Sequence, residues 1–279
     1  MRNIHVETII ETVQTLCIDA CLLPTIDAVN AIQAAIEKET SVLGKEVLIE
    51  LDKNVSIASK TQIPSCQDTG MAIVFLELGQ EVHIFGGNLY DAINEGVRKG
   101  YTKGYFRNSV LTPLERKNTG DNTPAIIYTD ICDGDHLKIT LMPKGFGSEN
   151  MSKIKMLTPA EGLEGIKNFV LDTVVQAGGN PCPPIILGIG IGGTMEKAAL
   201  LSKKALQREI GSINMDESLI LLEQELLNSI NQTGIGPQGL GGITTALAVH
   251  IETFPTHLAG LPVAVTIQCH ALRHSSAII

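Results

Sequence analysis

The 279-residue sequence is short of positive charge: 21 Lys and Arg stand against 30 Asp and Glu, a formal net charge of −9. A phosphate backbone needs a basic face, so this balance argues against a nucleic-acid partner. Long apolar runs are also scarce. By inspection none reaches the length of a membrane span, and the opening MRNIHVETIIETVQ has no apolar signal core. The expectation is a cytoplasmic protein in a reducing setting, with no membrane partner. No cysteine pair has CxxC spacing, which removes the usual zinc and ferredoxin signatures. Without a secretory leader, six cysteines in a chain this long do not imply disulfides. Internal repeats and low-complexity linkers are missing too, so one domain over 1–279 is expected.

What is present suits a packed, enzyme-like chain: 44% hydrophobic residues, 18% charged and 27 glycines. Val6, Ile9, Ile10, Val13, Leu16, Cys17 and Ala20 recur at helical spacing. Cys17 and Cys21, one turn apart on that apolar face, read as core rather than as metal ligands. Pro24 ends this helix, and two more are expected before residue 63. Met71 to Leu78 reads as a buried strand and Leu89 to Lys103 as a helix. Ala125 to Ile131 and His136 to Met142, joined by Asp133-Gly134-Asp135, read as a hairpin. Thr158-Pro159-Ala160-Glu161 has the form of a capping box with Pro at the first helical position. The expected fold class is α+β, with mixed and antiparallel sheet elements surrounded by helices and a helical N-terminus.

Three cysteines sit in unusual settings: Cys66 in IPSCQDTG, Cys182 in GGNPCPP and Cys269 in VTIQCHALRH. Each lies at a Gly/Pro turn or a strand end with polar neighbours. Three thiolates suit zinc or an iron–sulfur cluster with one position open to substrate; spacing alone does not distinguish these from three unrelated thiols. Cys132, ahead of the hairpin turn, reads as core. Gln67, Asp68, Arg107, His257, Arg273 and His274 form a polar set able to bind a small anion or move a proton. His5, His83 and His136 give no such signal. PKGFGSEN is a glycine loop whose backbone N–H groups suit an anion. Gly188-x-Gly190-x-x-Gly193 follows a strand and opens a helix, the pattern of a dinucleotide turn. The second βαβ half is missing, and a tight packing turn accounts for the same glycines.

The motifs CQDTG, GIGIGGTMEKAALLSKKAL, TGIGPQGLGG, PTHLAGLPVAV and QCHALRH run in one order across essentially the whole chain. Together they resemble the alpha subunit of class I fumarate hydratase; the tartrate dehydratase alpha subunit is a close relative. The resemblance implies an oxygen-sensitive [4Fe-4S] hydro-lyase with Cys66, Cys182 and Cys269 as cluster ligands. It implies that Gln67 and Asp68 face the substrate, that Arg107 binds a carboxylate, and that Gly145 and Gly147 offer backbone N–H groups. His257 would touch the other side of the substrate. Asp68 and His257 are thus the candidate catalytic groups of this chain, although the base itself, a threonine in single-chain members, is expected from elsewhere. Phe146 stands where the family loop has the middle glycine of a triplet. The chain stops where single-chain members continue, which implies a beta subunit, with a homodimer of alpha chains or a dimer of heterodimers. PTHLAGLPVAV and QCHALRH look like the fumarase branch, so fumarate and malate are the expected dicarboxylates, with tartrate as the alternative. An oxidoreductase built on the Gly188 turn is the more distant alternative.

Overall fold

A computed structural model describes residues 1–271 and 274–279. In chain order the elements are β1 (Arg2–His5), α1 (Val6–Leu22), α2 (Ile26–Lys38), α3 (Val42–Thr61), β2 (Met71–Gly79), β3 (Val82–Phe85), α4 (Leu89–Lys103), β4 (Ile126–Cys132) and β5 (Leu137–Lys144). Then come α5 (Phe146–Glu149), β6 (Lys153–Leu157), α6 (Gly162–Ala177), β7 (Ile185–Gly192), α7 (Met195–Ala205), α8 (Glu217–Asn231), β8 (Ala246–Phe254), β9 (Leu261–Gln268) and β10 (Ser275–Ile278). The architecture is α+β, as the mixed signals indicated. The chain resolves into two compact units. The first comprises Met1–Pro24, Ser56–Phe146 and the residues from 274 on; the second comprises Thr25–Val55 and 147–271.

The first unit holds a four-stranded sheet in the order β10-β5-β2-β4 and a two-stranded parallel pair, β1-β3. The helical stripe read from the sequence becomes the buried face of α1, which packs on α4 and β5. The stretch Val6–Lys38 has, by length and composition, what a membrane span needs, in contrast to the shortness of its individual apolar runs. Pro24 divides it into α1 and α2, and the apolar face of α1 is core. Cys17 and Cys21 lie in that core. Burial, reinforced by the neighbouring Cys21, pushes the Cys17 thiol well above its ordinary value, so it stays protonated and makes a poor ligand.

The hairpin expected at 125–142 does not form. β4 and β5 both pair with β2, one parallel and one antiparallel, so β2 lies between them. The Asp133-Gly134-Asp135 turn instead spans the end of β2, whose continuation donates from Gln80 N to Cys132 O and from Glu81 N to Gly134 O. Alternation around a short Asp-Gly turn does not say whether a third strand occupies the space between. Cys132 ends β4 half-buried rather than in the core.

The second unit is a sheet in the order β6-β9-β7-β8, with β7 and β8 parallel and β9 antiparallel to β6 and β7. Leu187, Ile189, Val263, Val265 and Ile267 form one core with α6 and α8. The other face carries α7, and there Gly188 and Gly190 replace side chains. A Cβ at either would stand 2.0 Å from a carbonyl oxygen of α7, that of Ser202 or Ala198. The glycine spacing is therefore explained by helix-on-strand packing, the more modest of the two readings. Gly190→Ala is expected to destabilise this unit by about 3 kcal/mol, since backbone rather than a flexible side chain must yield. Urea unfolding of the variant measures it.

Candidate functional site

CQDTG is built into the first unit by a set of hydrogen bonds converging on its backbone. Pro64 and the left-handed Gly70 (φ 73°) bracket a turn feeding β2. The Tyr101 hydroxyl donates to Thr69 O at 2.8 Å, and Asn122 Nδ2 donates to Gly70 O at 3.1 Å. Both side chains are buried, so each satisfies its own polar group while fixing the turn. Arg107 enters through its backbone: its N–H donates to the buried Thr69 Oγ1 at 3.1 Å. One side chain of the motif thus sets the place of Arg107, whose own side chain is left at an exposed position.

The Asp68 carboxylate has structural duties. Oδ1 accepts from Gly70 N at 3.0 Å, and Oδ2 accepts from Phe146 N at 2.8 Å. PKGFGSEN is accordingly not an open loop: Phe146–Glu149 makes one helical turn, and the N–H of Phe146 is engaged by Asp68. An internal carboxylate meets an N–H that the sequence reading offered to an external anion. Gly145 is buried, whereas Phe146 and Gly147 are exposed. At the other end of the turn the Asp68 N–H points to Cys66 Sγ at 3.4 Å. Cys66 is half-buried and Gln67 exposed. The structure therefore brings Cys66, Gln67, Asp68, Gly145 and the backbone of Arg107 into one local arrangement.

The second unit carries Cys182 and Cys269. Gly178 ends α6 with φ 53°, and Cys182 itself has φ 56° in the turn before β7. Its side chain is exposed. Cys269 follows the last residue of β9, and Gln268 pairs in register with Ile186 at the start of β7. The two cysteines thus belong to the same end of one sheet. His270 links them: its Nδ1 lies 3.0 Å from Cys182 O. Gln238, in the turn Pro237–Gly239, donates to Pro183 O from its backbone N at 2.7 Å and from Nε2 at 2.8 Å. Gln268 is fully buried, and neither amide atom has a hydrogen-bond partner among the described residues.

His257 is not part of this group. It lies in the exposed loop between β8 and β9, at the opposite end of β9 from Cys269, roughly 25 Å along an eight-residue strand. Its Nδ1 accepts from Ala259 N at 3.2 Å, which places the proton of the neutral ring on Nε2. Arg273 lies outside the described residues, and His274 is half-buried just before β10.

Sequence reasoning missed Tyr101, Asn122, Gln238 and His270, and also Glu39. Glu39 is buried, and its carboxylate accepts from Thr40 N, Ser41 N, Ile243 N and Thr244 N. It ties the glycine-rich segment to the end of α2. A lone Glu after a helix gives no sequence signal for this. Gln238 does give one, as the polar residue inside GPQGLGG.

None of the six cysteines is in a disulfide. Among the described residues no three His, Cys, Asp or Glu side chains are grouped to hold a metal ion. The donor chemistry nonetheless fits a thiolate-ligated group: Cys66, Cys182 and Cys269 are accessible or half-buried at turns and a strand end, unlike Cys17 and Cys21. The orphaned amide of Gln268 stands immediately before Cys269.

Cys66 and Cys182 thus stand ahead of strands β2 and β7, and Cys269 follows β9, in an α+β chain. The family model described as fumarate hydratase (Fumerase) matches residues 10–278. A protein of Methanocaldococcus jannaschii named putative L(+)-tartrate dehydratase subunit alpha is 48% identical over 255 residues, covering 89% of this chain and 90% of its own. The L(+)-tartrate dehydratase subunit alpha of Escherichia coli O157:H7 is 33% identical over 257 residues, covering 91% and 84%. The chain belongs to the fumarase and tartrate dehydratase alpha-subunit family, a family of hydro-lyases.

Proposed function

We propose that this chain is the cluster-bearing alpha subunit of a two-subunit hydro-lyase, acting in the cytoplasm on a four-carbon dicarboxylate. The observation that carries the reading is the match to dehydratase alpha subunits over nearly the whole chain. The accessible or half-buried thiols of Cys66, Cys182 and Cys269 support it, as the residues that would hold a [4Fe-4S] cluster. When bound, such a cluster would supply Lewis-acid polarisation of the substrate hydroxyl. The reaction removes that hydroxyl and a proton from the adjacent carbon, giving water and a double bond; in reverse it hydrates the alkene.

This chain's own part is to bind and orient. The exposed Arg107 guanidinium takes a substrate carboxylate in a bidentate pair, at a height set by Thr69. Gln67 offers its amide beside Cys66. Gly147 and Gly145 line the loop that Asp68 pins through Phe146. Holding the dianion in one orientation lowers the entropic part of the barrier. Asp68 is engaged by two N–H groups, so its service is orientation first; the proton-abstracting base belongs to the beta subunit. His257 serves substrate only from a place remote from Cys182 and Cys269.

Fumarate and malate are the substrates we favour, on the PTHLAGLPVAV and QCHALRH motifs. L(+)-tartrate is the second reading, favoured by the names of the relatives. Assay of the reconstituted two-subunit enzyme with malate and with L(+)-tartrate separates them by kcat/KM. No turnover of either, with a full cluster, overturns both. In the same assay Arg107→Ala is expected to raise KM by about 10- to 100-fold, the loss of a charged hydrogen-bonded pair, while iron content stays at the parent level. An unchanged KM removes Arg107 from the site.

A further inference from the structure

We infer that Gln238 and His270 are positioning residues, a brace that fixes the Cys182 turn against the Cys269 strand end. This rests on the proposed function in one respect, that these thiols hold the cluster. Cys182 lies in an exposed turn and Cys269 beyond the end of a strand, so neither is fixed by sheet pairing. The contacts across them are specific. A carbonyl oxygen only accepts, so the His270 proton sits on Nδ1 and is donated to Cys182 O at 3.0 Å. Pro183, the next residue, receives two donors from Gln238. Gln238 Nε2 also lies 3.4 Å from His270 Nδ1. With Nδ1 protonated this is a packing contact, and it sets the imidazole against the amide.

Gln238 holds this place at a cost. Its φ is 54°, in the left-handed region that favours glycine, and it lies in a segment where Gly234, Gly236, Gly239, Gly241 and Gly242 all have positive φ. A glycine at 238 would suit the backbone better. The segment also approaches the turn closely: a Cβ on Gly179 would stand 3.2 Å from Gln238 O. Glu39 fastens the far side of the segment through Ile243 N and Thr244 N. The side chain of Gln238 is thus kept where the backbone disfavours it, and its donor serves the residue next to Cys182.

The test uses Gln238→Gly, His270→Asn and His270→Gln in the full chain. Asparagine carries an N–H donor as many bonds from Cα as Nδ1; the glutamine donor is one bond further out, matching Nε2. After anaerobic reconstitution, iron loss to a chelator is expected to be about 10-fold faster in Gln238→Gly and His270→Gln, the usual cost of removing an outer partner of a metal ligand. His270→Asn stays near the parent. Gln238→Gly melts no lower than the parent, which separates placement of the thiols from stability. Phenylarsine oxide, which bridges two close thiols, gives a cluster-free readout. Peptide mapping should find it on Cys182 and Cys269 of the apo-parent and of His270→Asn, and more weakly held in the other two. Parent-like behaviour of Gln238→Gly and His270→Gln in both arms overturns the brace. If the glycine variant is itself unstable, the contrast between His270→Asn and His270→Gln decides. A parent that takes up no iron and sulfide refutes the cluster reading, and the arsenical arm then judges the brace alone.

Discussion

Cys182→Ser is expected to abolish cluster assembly, whereas Cys132→Ser leaves it intact. Anaerobic reconstitution of the parent should give about four irons and four sulfides per chain, as a cubane cluster requires. A serine hydroxyl does not ionise near neutral pH and is a poor ligand for iron, so Cys182→Ser should fall to background in iron, sulfide and hydro-lyase activity together. Cys132 is a fair control because it is also a half-exposed thiol, yet it ends a strand pairing with β2 rather than a glycine-proline turn. Matched losses in both variants would mean that the chain responds to any thiol removed. Full iron in Cys182→Ser would take this residue out of the ligand set.

Glu39→Gln carries the second large effect, and it is one of stability. The buried carboxylate accepts from four backbone N–H groups. Burial acts to raise its pKa, but the N–H donors of Ser41, Ile243 and Thr244, with the Thr244 side chain, together outweigh burial and hold it below the ordinary glutamate value. An amide in its place offers one acceptor oxygen and turns two donors toward the N–H groups the other oxygen served. A cost of about 3 kcal/mol is expected for leaving such groups unmatched in a buried setting. The sign with pH follows from the lowered pKa. The parent carries this stabilisation in full above the ordinary glutamate range and loses it as pH falls through the folded-state value. The gap in urea midpoint between parent and variant should therefore be widest near neutrality and close in acid. A gap independent of pH would show that the charge of Glu39 does not hold the segment.

These effects are tied to where the polar groups of this chain are placed. CQDTG, the Cys182 turn and the glycine-rich segment are all irregular backbone, and irregular backbone must find partners for its N–H and C=O groups outside regular ladders. Tyr101, Asn122 and Thr69 provide them around Cys66; Gln238 and His270 do so around Cys182. Removing one of these groups is expected to reach Cys66 or Cys182 by way of the backbone.

The amino-acid sequence carries the helical stripe of α1, the core role of Cys17 and Cys21, the bounds of α4 and the capping box at Thr158. These rest on local periodicity and local hydrogen bonds, which neighbours in the chain decide. It also determined the unusual settings of Cys66, Cys182 and Cys269, because turn chemistry is written in Gly and Pro. The folded chain was needed to show that β2 lies between β4 and β5, that Gly188 and Gly190 serve the packing of α7, and that Asp68 meets the Phe146 N–H. It alone separated His257 from Cys269 by the length of β9 and joined Glu39 to residues 243 and 244. These relations run from about ten residues, between β7 and α7, to 205 residues, between Glu39 and Thr244. Such pairings follow from which surfaces close on one another, and that information is not carried by the residues adjacent in sequence.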